Sequence, residues 1–291
     1  MKKELKLNLK NNYCTSVKKN SYFDFSIFYM MHKNHLPTNV LPSNNFLCWL
    51  IGFTEGEGSF IVNNRGDLSF VITQSTTDID VLYYIQTILG FGKVIPQSLK
   101  TSRYVTQNKR EIEIIISLFN GNIILPSRKE KFEFYIKEYN KWVTKGKIRL
   151  NTVIFKDNFI LPSLDNSWFS GFTDAEGCFT CSILSKKGFS FNFNLSQKGE
   201  NNIIVLKQLI ELFNTGIVSK HSVKDVYEYR INGLKNCINI FNYFDKYILL
   251  TKKSLSYILW KQIHIDLLSK SHLEPEKRLE LIEKVKMINK K

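Results

Sequence analysis

The stretch LIGFTEGEG, residues 50–58, sets the problem from which the fold can be read. An apolar run from Phe46 to Phe53 has the look of one or two turns of buried helix, and it ends in Glu55 and Glu57, set between glycines. A helix C-terminus carries partial negative charge, so carboxylates are disfavoured there. The arrangement occurs twice. WLIGFTEGEGSFIV at 49–62 is echoed by WFSGFTDAEGCFTC at 168–181, and matched segments follow both copies. A repeat that carries its disfavoured acids along with it indicates two copies of one structural unit in tandem.

After each motif comes a stretch of period two, clearest at Phe189–Gln197, where aromatic or apolar residues take the odd positions and polar ones the even. That pattern predicts a half-buried strand with a polar open face, and Leu68–Gln74 is its counterpart. Helices are expected over Ile79–Leu89 and Ile203–Phe213. Glycine-marked strands follow at 90–95 and 215–220, then strands at Ser102–Thr106 and Val226–Asn232. LPSRK at 125–129 and LLTKK at 249–253 each open a longer amphipathic helix. The expected architecture is α+β: two αββαββα subdomains related by a pseudo-twofold axis, each with an antiparallel four-stranded sheet. The boundaries read as a loosely ordered basic extension (1–44), a first subdomain (45–145), a linker (146–165), a second subdomain (166–270) and a charged C-terminal helix (271–291).

The 291 residues carry 41 Lys and Arg against 26 Asp and Glu, a net charge of +15, with 43% hydrophobic residues. That supports a real core and points to a polyanionic partner, nucleic acid first. A membrane surface or an acidic protein is the alternative partner, but no apolar run reaches the roughly 18–20 residues of a spanning helix, so an integral membrane protein is not expected and no membrane partner is assigned. The five cysteines are odd in number and irregularly spaced, which argues against a disulfide framework. Cys178 and Cys181 form a lone CxxC. On a strand they face opposite sides, so they read as buried thiols and not as a zinc site. Ala175 is the chain's one alanine, and Lys, Asn, Ile, Phe and Tyr abound. Codons for these residues are A/T-rich, which suggests an organellar gene.

Both motif helices carry small residues four apart, Gly52/Gly56 and Gly171/Ala175. Such faces let backbones approach more closely than the usual 8–10 Å axial spacing. If the two helices pack on each other, their ends converge and Glu57 meets Glu176. Like charges held together cost energy, and a divalent cation offsets that cost. Mg²⁺ is commonly held by one or two carboxylates, completed by water and phosphate oxygens, and such sites serve phosphodiester cleavage.

Leu50–Gly58 and Phe169–Gly177 resemble the two copies of the LAGLIDADG motif, and residues 46–270 resemble a single-chain, two-motif LAGLIDADG homing endonuclease. The resemblance implies two sheets over the DNA major groove and Mg²⁺-dependent double-strand cleavage across the minor groove, leaving short 3′ overhangs, with Mn²⁺ able to substitute. It implies that Glu57 and Glu176 ligate metal, assisted by the carbonyls of Gly56 and Ala175, while Glu55 and Asp174 are helix-end residues. Gln74 and Gln197 match the glutamines that flank the attacking water. Lys252 matches the basic residue, with Lys253 as the register alternative, and Arg128, followed by Lys129, stands at the corresponding place in the first half. An arginine cannot shed its proton at neutral pH, so the two half-sites would differ.

By strand parity Ile61, Asn63, Arg65, Ser69, Lys93 and Arg103 would face DNA in the first half. Thr180, Ser182, Ser190, Asn192, Asn194, Ser219 and Arg230 would do so in the second. The expected protein is a monomer acting on a long pseudo-palindromic double-stranded DNA target, intron-encoded and mitochondrial, with the chloroplast as alternative. The first rival reading is a maturase of the same fold that binds its host intron RNA; the second, a DNA-binding regulator without catalysis, is disfavoured by the intact Glu57 and Glu176.

Overall fold

Antiparallel pairing organises the chain into two sheets of one topology, β1-β2-β4-β3 and β5-β6-β8-β7, each backed by helices. The computed structural model describes residues 22–145, 150–184 and 188–289. Residues 1–21 of the expected extension and 146–149 of the expected linker lie outside these. The first half runs α1 (Ser26–His35), α2 (Asn44–Glu57), β1 (Gly58–Val62), β2 (Leu68–Ser75), α3 (Ile79–Leu89), β3 (Lys93–Pro96), β4 (Thr101–Thr106), α4 (Lys109–Phe119) and α5 (Pro126–Lys145). The second runs α6 (Trp168–Glu176), β5 (Gly177–Ile183), β6 (Phe189–Lys198), α7 (Ile203–Phe213), β7 (Ile217–Lys220), β8 (Val226–Asn232), α8 (Leu234–Cys237), α9 (Phe241–Lys246), α10 (Lys253–Leu268) and α11 (Pro275–Met287). No helix among the described residues is long and apolar enough to cross a membrane.

The motif helices form as their sequences demand. The Ser43 hydroxyl caps α2 by accepting the Phe46 N–H at 3.2 Å, satisfying one of the donors that every helix start leaves unpaired. Every α2 residue from Phe46 to Glu55 is buried. α6 is buried from Trp168 to Asp174. An all-round apolar helix belongs inside a molecule, and here each motif helix is buried against the other.

Inward-facing strand residues build the core of each half. Phe60 meets Phe119, Phe132 and Tyr135 beneath the first sheet. Phe191 stacks on Trp260 beneath the second, with ring centroids 4.2 Å apart. Offset aromatic pairs of this kind add to the stabilisation from buried area.

Two departures from the expected αββαββα order stand out. α4 is an additional helix, capped by the Asn108 carboxamide, which accepts the Arg110 N–H at 2.9 Å. Its isoleucines fill the space under the first sheet, while α8 and α9 occupy the corresponding stretch of the second half. The extension is also more than a loose tail. α1 buries Phe28 and His32 completely, and His35 Nε2 lies 2.7 Å from Glu113 Oε2 on α4. A lysine- and asparagine-rich composition concealed a helix that Phe28, His32 and His35 dock onto the core.

The charged helix expected near the C-terminus is α11. It covers the open edge of β5, where Arg278 donates to the Leu184 carbonyl and Asn289 Nδ2 to the Phe179 carbonyl at 2.6 Å. Free strand edges are otherwise templates for unwanted pairing.

Candidate active site

Glycine brings the two acids together. A Cβ on Gly52 would lie 2.0 Å from the Trp168 carbonyl oxygen, and one on Gly171 would lie 1.9 Å from that of Trp49. The contact is reciprocal, as a twofold relation requires, and only glycine permits it. One turn further on, a Cβ on Gly56 would lie 2.3 Å from the Ala175 Cβ and 3.3 Å from Glu176 Oε1. Glu57 and Glu176 are the last residues of α2 and α6, so the closely packed helix ends deliver both carboxylates to one place.

The first acid of each motif does something different. Glu55 is buried, and its carboxylate accepts the Ile124 N–H at 2.7 Å and the Leu125 N–H at 3.0 Å. Asp174 accepts from Leu250 N, Thr251 N and the Thr251 hydroxyl. Both acids therefore tie a motif helix to the segment that opens α5 or α10, where backbone N–H groups favour an anion. Complete burial pushes the Glu55 carboxyl up to about 7, against the pull of those two N–H groups and of Arg128. Burial likewise raises Asp174.

Glu57 and Glu176 are half-buried. Burial raises the pKa of Glu57, and the charge of Glu176 raises it further. Burial raises Glu176 as well. Opposing these effects are Gln74 beside Glu57, Gln197 beside Glu176, and the cations Lys253 and Arg128, which act on both acids. The two glutamines thus stand one beside each acid. Gln74 Nε2 is buried without a hydrogen-bond partner of normal geometry. An unpaired buried donor is costly, and the acceptor this one bears on is the Glu57 carboxylate.

The basic residues require a correction. Lys252 is exposed, and its backbone N–H donates to Asp78 Oδ1 at 2.9 Å. Lys253 is the lysine that enters the site. Its Nζ donates to the carbonyls of Thr173, Asp174 and Ala175 at 3.1, 2.8 and 3.0 Å. Arg128 performs the same office at the other helix end, with Nε to the Glu55 carbonyl at 2.6 Å, Nη2 to Gly56 at 2.7 Å and Nη1 to Gly58 at 3.1 Å. Burial pushes both cations' pKa values down, and the surrounding carboxylates push back. Lys129 turns away to the Asp157 and Asn158 region of the linker. The Gly56 and Ala175 carbonyls expected to assist a metal thus already accept from Arg128 and Lys253, each keeping a second lone pair.

Directly paired residues on antiparallel strands face the same side, so the register places the open-face residues. In the second sheet Thr180, Ser182, Ser190, Asn192, Asn194, Ser219 and Arg230 all share the open face, as parity predicted. In the first sheet Ile61, Ser69, Lys93 and Arg103 do so, although Ser69 is only 8% exposed. Asn63 and Arg65 instead belong to the β1–β2 turn. The Asn63 side chain is committed there, accepting from Arg65 N and Asp67 N and donating to Asp67 Oδ2. Strand parity ends with β1 at Val62 and so does not assign these two to the sheet face. Reading the sequence by parity also passed over Val71, Val105 and Glu228, which lie on the open faces. Apolar and acidic residues do not advertise themselves as polar contacts.

Cys178 and Cys181 project to opposite faces of β5, paired with Asn194 and Phe191. Among the described residues no three His, Cys, Asp or Glu side chains gather as a metal site. An all-protein cage of the zinc type is therefore absent from them, whereas two carboxylates with adjoining carbonyls suit a hard cation whose remaining ligands are water or phosphate.

The model of the LAGLIDADG endonuclease family matches residues 50–139 and 169–264. A relative named "Probable intron-encoded endonuclease 4" from Neurospora crassa is 38% identical over 259 residues, covering 86% of this chain and 46% of that protein. The chain therefore spans about half the length of that relative. The Saccharomyces cerevisiae "Intron-encoded RNA maturase bI4" is 31% identical over 59% of this chain and 28% of its own length. Among solved structures, the LAGLIDADG meganuclease I-AabMI bound to uncleaved DNA superposes with a TM-score of 0.69 at 23% identity, covering 84% of this chain and 99% of that one.

Proposed function

The chain belongs to the LAGLIDADG endonuclease family, and we propose on that basis that it is a monomeric, site-specific homing endonuclease. In this reading it makes double-strand breaks with short 3′ overhangs in a long, pseudo-palindromic DNA target and so promotes the mobility of its intron. The observation that carries the reading is the delivery of Glu57 and Glu176 to one point by helices in glycine-to-carbonyl contact. That arrangement costs energy through like-charge repulsion, and a divalent cation relieves the repulsion.

Glu57 and Glu176 would hold the metal, with Mg²⁺ preferred and Mn²⁺ as substitute. When bound, such an ion supplies Lewis acidity and an activated water for phosphodiester hydrolysis. Gln74 and Gln197 orient solvent beside the acids. Arg128 and Lys253 neutralise the helix ends and the charge that develops on the phosphate. The net charge of +15 attracts the phosphate backbone, so affinity should fall steeply as salt rises, by about 0.9 in log–log slope per phosphate contact.

An organellar, mitochondrial origin is supported by the A/T-biased residue usage and by the intron-encoded relatives. The maturase relative supports a second activity, binding of the host intron RNA. The test is to challenge a randomised DNA library with purified protein and Mg²⁺ and to sequence the ends produced. Recovery of one long target with staggered ends is expected. Intact, folded protein that cuts nothing yet binds its intron RNA tightly would replace this reading with the maturase.

A further inference from the structure

The two open sheet faces are related by the fold, but the strand register gives them different chemistry. Gln74 and Gln197 stand at equivalent points beside the two acids, so the rows of paired residues can be matched outward from there. The row next to Gln74 is Thr73–Arg103–Ile95, and its equivalent in the other half is Ser196–Glu228–Ser219. One row further out, the first sheet presents Val71–Val105–Lys93, and the second presents Asn194–Arg230–Ile217. The arginine of the first sheet thus lies in the inner row, and that of the second lies in the outer row.

Both guanidiniums are set up for recognition. Arg103 forms no ion pair with a described residue, and its Nε is buried without a hydrogen-bond partner. Arg230 is 44% exposed in its side chain and held by Glu228, with Nη2 2.6 Å from Oε2. Glu228 is itself buried, so it acts as a positioning residue that fixes the fork of its neighbour two residues along the same face. Arginine presents a fork that bonds guanine O6 and N7 bidentately in the major groove. Val71 and Val105, at the places equivalent to Asn194 and Arg230, offer no hydrogen bond; Val71 is buried, and the half-buried Val105 would meet the thymine methyl instead.

We propose that Arg103 and Arg230 each specify a guanine, at positions of the two half-sites that are not symmetry-related, the Arg230 guanine lying further from the centre of the target. Two residues along a strand span about 6.8 Å, which is about two base-pair steps of 3.4 Å. The inference rests on the DNA reading above, and it says where that reading's pseudo-palindrome must break.

The experiment is selection of bound and cleaved targets from a randomised library by the full chain and by Arg103→Ala, Arg230→Ala and Glu228→Gln, with Arg103→Lys and Arg230→Lys as conservative partners. The wild-type target should carry the two guanines at unequal distances from its centre. Arg103→Ala should lower discrimination about ten- to hundredfold at the inner guanine only. Arg230→Ala and Glu228→Gln should do so at the outer guanine of the other half only, and a lysine should restore part of the preference at its own position. Preferences lost at symmetry-related positions, or a uniform weakening of every target, would overturn the inference while leaving the endonuclease reading intact. A wild-type protein that enriches no DNA would overturn both.

Discussion

Asp174 accepts the indole N–H of Trp49 at 2.8 Å, from the opposite half of the molecule. The pseudo-equivalent pair is incomplete. The Trp168 indole bears on Glu55, but its N–H closes no hydrogen bond of normal geometry. The helix-end acids that first looked misplaced are thus structural. Each anchors the segment that opens a long helix, and one of them also locks the two halves together.

Trp49→Phe should therefore destabilise the protein by about 1.5–3 kcal/mol, the range for a hydrogen bond to a charged group, and Trp168→Phe by less. Asp174→Ala, which strands several buried donors, should cost about 3–5 kcal/mol. Urea unfolding of the three variants measures this. Equal losses for the two tryptophans would contradict the asymmetry.

Gly52→Ala and Gly171→Ala force a Cβ into a carbonyl oxygen of the facing helix. Each should cost about 3 kcal/mol or more, because a packed backbone has no rotamer with which to yield. Gly66, at φ +84° with open space around it, is the control. Alanine there pays only the left-handed strain of about 1–2 kcal/mol. Thermal melting should rank the three variants in that order.

Lys252→Ala should cut both strands at the wild-type rate, while Lys253→Ala should slow cleavage by about 10²-fold or more, the usual effect of losing one preorganised electrostatic donor. Single-turnover digestion of a supercoiled target is the assay. Nicked circles should accumulate with Lys253→Ala, because Arg128 still serves the other helix end. A Lys252→Ala defect equal to that of Lys253→Ala would refute the assignment.

Glu57→Gln should stabilise the metal-free protein, since it removes one of two neighbouring carboxylates that repel each other. Each 1 kcal/mol gained appears as about 2–4 °C in Tm for a chain of this size class. Added Mg²⁺ should raise the Tm of the wild type by mass action and that of the variant far less. Calorimetry with and without metal separates these outcomes.

Much of this molecule is legible from local pattern. The doubled motif announces two units, Phe189–Gln197 alternates as a strand with one wet face must, and Gly52 and Gly171 mark where helices touch. Periodicity reports such features because they depend on near neighbours in the chain. Three things were decided only by the tertiary structure. α1 and α4 bury one another's apolar faces, and α1 by itself reads as a polar tail. The apolar and acidic members of the reading faces appear only once the strand register fixes which residues stand in a row. The choice between Lys252 and Lys253 turns on where a helix begins. α5 starts at Pro126, so its third residue, Arg128, reaches back over the α2 carbonyls, whereas α10 starts at Lys253, and its first residue reaches the end of α6. A side chain's partner across the fold is set by the geometry of two packed elements, and no spacing along one strand of sequence carries that information.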